Sequence, residues 1–124
     1  MFSSGARTNE LASEALLNSV RARRTVVIAT EGSEELRLLE YFRANANVGG
    51  ENLTHIILRP DARRVEVLEE FLHGTQFRLG QVQRLGVEPA EVALRQWMIR
   101  HRRMLGITEE DARILAEMSG IVFP

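Results

Sequence analysis

The sequence lacks cysteine entirely, and all 16 of its basic residues are arginine, so lysine is missing too. Without cysteine there is no disulfide, no thiolate-held zinc or iron–sulfur cluster and no cysteine nucleophile. Proline is scarce at 3 and glycine modest at 9, which excludes a low-complexity chain. No apolar run approaches the roughly 20 residues that span a bilayer. The start, Met1 to Arg7, has neither the basic residues nor the apolar stretch of a secretory signal. A cytoplasmic origin is therefore expected; delivery to a target cell as part of a longer protein would leave no mark here. Charge of one sign is also missing: 16 basic against 17 acidic residues give −1, too little for a generally basic nucleic-acid coat or a polyacidic tail. What is present is ordinary for one globular domain of 124 residues, 44% apolar and 27% charged.

The periodicities predict a helix-rich α+β domain over residues 1–124, with a small sheet of two or three strands and four to five helices. Residues 1–5 are expected to be disordered or a linker remnant. Leu11, Ala15, Leu16 and Val20 mark an amphipathic helix within Ala6 to Arg23. The β-branched run Thr25 to Thr30 reads as a buried strand. Ser33 caps a helix carrying Leu36, Leu39 and Phe42. Leu53 to Leu58 reads as a second strand, ended by Pro60. A third strand is sought in Met1 to Ser4, in Asn45 to Asn52 or in the apolar tail after Ile121. Asp61 is the expected N-cap of a long helix from Ala62 to about Phe77, with an extension past Gly80 to Leu85. Pro89 suits the first turn of another, reaching Leu105 before Gly106. Thr108-Glu-Glu-Asp111 has capping-box spacing and opens the last helix, to about Met118.

Chemistry concentrates on the long helix. Glu69 and His73 are four residues apart and Glu70 and His73 three, so both pairs share a face. Leu68, Phe71, Leu72 and Leu79 are expected on the core side. The string Glu69-Glu70-Phe71-Leu72-His73 is the zinc-hydrolase pattern H-E-x-x-H with glutamate at the first ligand position. In that frame Glu69 and His73 hold a metal ion and Glu70 takes a proton from metal-bound water. Glu91, 18 residues beyond His73 and in the first turn of the next helix, is the expected third ligand, with His101 its competitor. The oxygen-rich set suits zinc, with manganese or iron also accepted. The bland alternative is a solvated Glu-Glu face with a surface histidine.

The string from Val67 to Gly80 resembles a motif of the C-terminal toxin domains of bacterial polymorphic toxins, Rhs-type and contact-dependent. That motif runs E-E-x-x-H-x-x-Q-x-R-x-G. Matching residues are Glu69, Glu70, His73, Gln76, Arg78 and Gly80, then Glu91, Met98 and Ile99, then Gly106-Ile107-Thr108. The likeness covers residues 54 to 118. Members often carry a second acidic residue shortly after the Glu91 position, where this chain has Ala93. The resemblance implies a zincin-like core and a metallopeptidase-like activity. A protein or peptide is then the substrate class and a cognate immunity protein a partner. Gln76, on the His73 face, would orient a ligand by hydrogen bonding. Arg78 reads more simply as a salt bridge at the helix end.

The competing reading uses the basic cluster Arg95, Arg100, Arg102 and Arg103, with Trp97 and His101 among them. Arginine forks there could hold phosphate, making the chain a metal-free toxin or an interaction module for protein or nucleic acid. The simpler account is a helix face balanced by acids elsewhere, with Leu94, Trp97, Met98 and Leu105 in the core. Arg63 and Arg64 read as surface charge, and His55 sits on a strand that could dock an extended peptide.

Overall fold

In a computed structural model, residues 7–49 and 55–124 are described. Among them are seven helices and three strands, a helix-rich α+β fold. The elements are α1 (Glu14–Arg21), β1 (Thr25–Ile28), α2 (Glu34–Tyr41), β2 (Ala46–Gly49), β3 (His55–Leu58), α3 (Arg64–Arg78), α4 (Gln81–Leu85), α5 (Val87–Arg100), α6 (Arg102–Leu105) and α7 (Glu109–Ser119). The expectations for residues 1–5 and for a strand at Met1 to Ser4 lie outside the described residues, as does the start of the Leu53 strand.

The sheet order is β1-β3-β2, with β3 parallel to β1 and antiparallel to β2. The third strand therefore comes from the Asn45 to Asn52 candidate. On one side of the sheet Leu39 of α2 packs with Ala29 and Ala44. On the other, Ile56 and Leu58 meet Val20 of α1 and Val67 of α3. Val65 and Leu68 of the same helix join a second core with Leu94, Met98 and Ile99 of α5 and Leu115 of α7. Helix α3 thus lies between the sheet and the α5–α7 pair. A helix enclosed on both sides has no broad solvated face, and this decides the fate of its carboxylates.

Several helix ends differ from the expectation. The first helix begins only at Glu14, where the Ser13 hydroxyl accepts from the Leu16 amide. The two long helices are each interrupted: Gly80 takes φ 78° between α3 and α4, and His101 separates α5 from α6. Arg63, not Asp61, is the N-cap of α3, its amide donating to Glu66 at 3.0 Å. Asp61 instead accepts from Arg7 at 3.0 Å. Half of the Thr108 box forms, with the Asp111 amide donating to the Thr108 hydroxyl at 3.1 Å. The buried Asp111 carboxylate does not turn back to Thr108; it accepts the Asn9 and Glu10 amides at 2.7 and 3.0 Å, pinning the chain before α1. Arg63 and Arg64 are not loose surface charges. Arg63 donates to the Thr8 carbonyl and Arg64 to the Leu105 carbonyl. Among the described residues the tail forms no strand; it packs on the body, with Phe123 beneath the Arg102 and Arg113 guanidiniums.

Candidate functional site on the central helix

Glu66, Glu69 and Glu70 are all buried, the last two at 2% and 0% exposure, so the solvated-face alternative does not hold. Unpaired charges at such depth cost several kcal/mol, and each carboxylate meets a different environment. Glu66 is fully matched: its two oxygens accept from Arg7 at 2.7 Å each, and one also takes the Arg63 amide. Glu69 is half matched. Its Oε1 accepts from Arg95 of α5 at 2.5 Å, while Oε2 has no hydrogen-bond partner among the described residues. Burial pushes its pKa up to about 7 against the opposing pull of Arg95. Glu70 is likewise held above the ordinary carboxylate range, by burial first and by the charge of Glu91 on α5 in the same direction.

One turn on, His73 is half-buried, and its Nδ1 lies 3.2 Å from Gln76 Oε1. Gln76 is buried and donates through Nε2 to the Ala90 carbonyl at 2.9 Å. That one side chain ties the imidazole on α3 to the turn of α5 that carries Glu91. The contact puts Gln76 on the His73 face, where the helical spacing predicts it. A cavity of about 310 Å³ borders Gln76 on the α4 side, walled by Leu72, Thr75, Leu79, Trp97 and Arg100. Leu79 is exposed rather than in the core.

Helices α3 and α5 therefore bring Glu69, Glu70, His73, Gln76 and Glu91 to one interface. They do not bring three ligands to one point: among the described residues no three His, Asp or Glu side chains form a group that could hold a metal ion. The donor types suit a divalent ion, and the open Oε2 of Glu69 is available to one. As placed, however, Glu69 is oriented by Arg95 and His73 by Gln76, and the set does not close. His101 stands apart, its ring stacked on Trp97 at 4.5 Å and its Nδ1 2.8 Å from the Trp97 carbonyl.

The basic cluster divides in two. Arg95 serves Glu69 and also donates to Ser119, and Arg102 serves Glu109 and the Ile99 carbonyl. Arg100 and Arg103 face solvent. Arg78 forms no ion pair among the described residues, so the salt bridge expected at the end of α3 is not found. The sequence reading missed Arg95 as the partner of Glu69, although opposite charges on two helices expected to pack were a usable signal. It also missed Arg24, discussed below, which carried none. Among the described residues no helix is long and apolar enough to cross a membrane. Comparison with family models, curated proteins and solved structures finds no match to this chain.

Proposed function

We propose that the chain is a hydrolase-type effector domain acting on peptide or amide bonds, with its chemistry on the second turn of α3. The supporting observation is the buried Glu70 carboxyl, held above its ordinary pKa beside Glu91 and one turn from His73. A carboxyl whose pKa is moved toward neutrality is suited to taking and returning a proton. In the proposed reaction Glu70 accepts a proton from water as the water oxygen bonds to the amide carbon. The carbon–nitrogen bond then breaks, and the same proton passes from Glu70 to the departing nitrogen. Burial first, then the charge of Glu91, raise the proton affinity of the Glu70 carboxylate, and the Gln76 bridge holds His73 against the α5 backbone. The cavity beside Gln76 is at the small end of the range that takes organic ligands, roughly 300–1,000 Å³. Since the described donors do not close around one point, no step is assigned to a metal ion.

The test is cleavage of a fluorogenic peptide library by the purified full chain, run with zinc, manganese or ferrous iron supplied and again with chelator. Glu70→Gln keeps the shape but cannot carry the proton, and a loss of about 100-fold or more is expected. Cleavage undiminished in Glu70→Gln, or no cleavage by the wild type under any of these conditions, would overturn the proposal.

A further inference from the structure

The opposite face of α3 carries a second arrangement, built from cations. Arg24 follows α1 and precedes β1, and it is 7% exposed, unusual for an arginine outside an ion pair. Its guanidinium lies over the Phe71 ring, 4.6 Å from the centroid. One terminal nitrogen donates to the Arg23 carbonyl at 3.0 Å; the other is buried and has no hydrogen-bond partner among the described residues. Arg78 stands seven residues, two turns, beyond Phe71 and so on the same face. Side chains on a helix lean toward its start, which directs Arg78 toward the turn that carries Phe71. Burial first, then the charges of Arg78 and Arg23, lower the Arg24 pKa, which places the three guanidiniums within electrostatic reach. Arg23 and Arg78 are exposed, and none of the three forms an ion pair among the described residues.

Three other buried charges each have a counter-group among the described residues. Glu66 has Arg7, Glu69 has Arg95, and Asp111 has two amides. A ring face offsets part of the cost of burying a cation, but it leaves the open N–H without an acceptor and adds nothing against two neighbouring like charges. A buried donor left open beside concentrated positive charge calls for an anionic acceptor.

We infer that Arg24 and Arg78, with Arg23 at the rim, form a binding site for a small phosphate-bearing ligand, set over Phe71 between the end of α1 and the last turn of α3. Phosphate fits better than a carboxylate because a dianion balances more than one guanidinium and offers enough oxygens to serve two forks. The site lies away from the Glu70 cluster and stands whether or not hydrolysis is found.

The experiment is calorimetric titration of the full chain with inorganic phosphate, with acetate and with sodium chloride at matched ionic strength. Thermal melts in the same solutions provide a second readout. Saturable phosphate binding is expected, with a rise in Tm that follows the occupied fraction. Arg78→Gln, at an exposed position, should fold normally and weaken binding about tenfold or more. Arg24→Gln risks the fold, so Arg24→Lys is the companion variant: it keeps a buried cation but loses the fork, and it should also weaken binding. An ion-strength effect common to all three solutes would overturn the inference. Binding of acetate as tight as phosphate would overturn the phosphate assignment, and unchanged binding in both variants would overturn the site.

Discussion

The first and second turns of α3 bury carboxylates at similar depth but treat them differently. Glu66, in the first turn, receives a two-pronged arginine and a backbone amide, which consumes both oxygens. Glu69 and Glu70, one turn later, are held above the ordinary carboxylate range: burial outweighs Arg95 at Glu69, and burial first and then the like charge of Glu91 raise Glu70. A saturated buried carboxylate holds architecture together, here the segment before α1 against α3. A buried carboxylate whose desolvation outweighs its partners keeps its proton to a higher pH than usual. The difference locates the candidate chemistry more sharply than the motif does, because the motif treats Glu69 and Glu70 as ligand and base without regard to what else occupies them.

The contrast can be broken at its saturated end first. Arg7→Ala leaves Glu66 buried without its cation, and a loss of about 3–5 kcal/mol is expected in urea unfolding. A loss below 1 kcal/mol would mean that Glu66 is not the anchor described.

Next in size is a pH effect from Glu69. The folded carboxyl holds its proton up to about pH 7, while the unfolded one loses it near 4.5. Across that window the unfolded state binds fewer protons, so stability falls as pH rises and levels off above about 7. The fall attributable to this one group is at most about 3 kcal/mol. Glu69→Gln, which cannot ionise, should flatten the slope; an unchanged slope would assign it to other groups.

Gln76→Ala strands the Ala90 carbonyl and frees the imidazole, at an expected cost of about 1–3 kcal/mol in the same unfolding assay. Any peptide cleavage should fall with it, because His73 loses its hold on α5. The smallest effect expected is at a site remote from the contrast: Thr108→Ala removes the α7 cap and should cost about 1 kcal/mol. It should not touch cleavage, which separates global stability from the state of the α3 carboxylates.

Much of the fold is legible in the sequence because local signals are strong. Ser33 and Thr108 each cap a helix through their hydroxyls. The β-branched runs at Thr25 and Ile56 form the strands, and Leu94 and Met98 reach the core with Trp97 and Leu105 packed against it. The Glu70, His73 and Gln76 face and its approach to Glu91 follow from helical spacing and a turn at Gly86. Three features are not legible. The burial of the carboxylates depends on α3 being enclosed from both sides, which no local window records, and on Arg7, 59 residues from Glu66 in the chain. The strand Ala46–Gly49 is one of three candidate third strands and no local signal selects it among them, because it is short and rich in loop-forming residues and depends on the edge that β3 offers. The breaks at Gly80, with its positive φ, and at His101 divide each expected long helix in two.

The most direct measurement is a pH titration of the Glu69 and Glu70 side-chain carboxyls by carbon-13 NMR in the wild type and in Glu91→Gln. The account expects Glu69 to titrate near 7 and Glu70 above the ordinary carboxylate range, with the Glu70 value moving down when the Glu91 charge is removed. Ordinary values for both, or a Glu70 titration indifferent to Glu91, would contradict the claim that the second turn of α3 holds a poised proton-transfer pair.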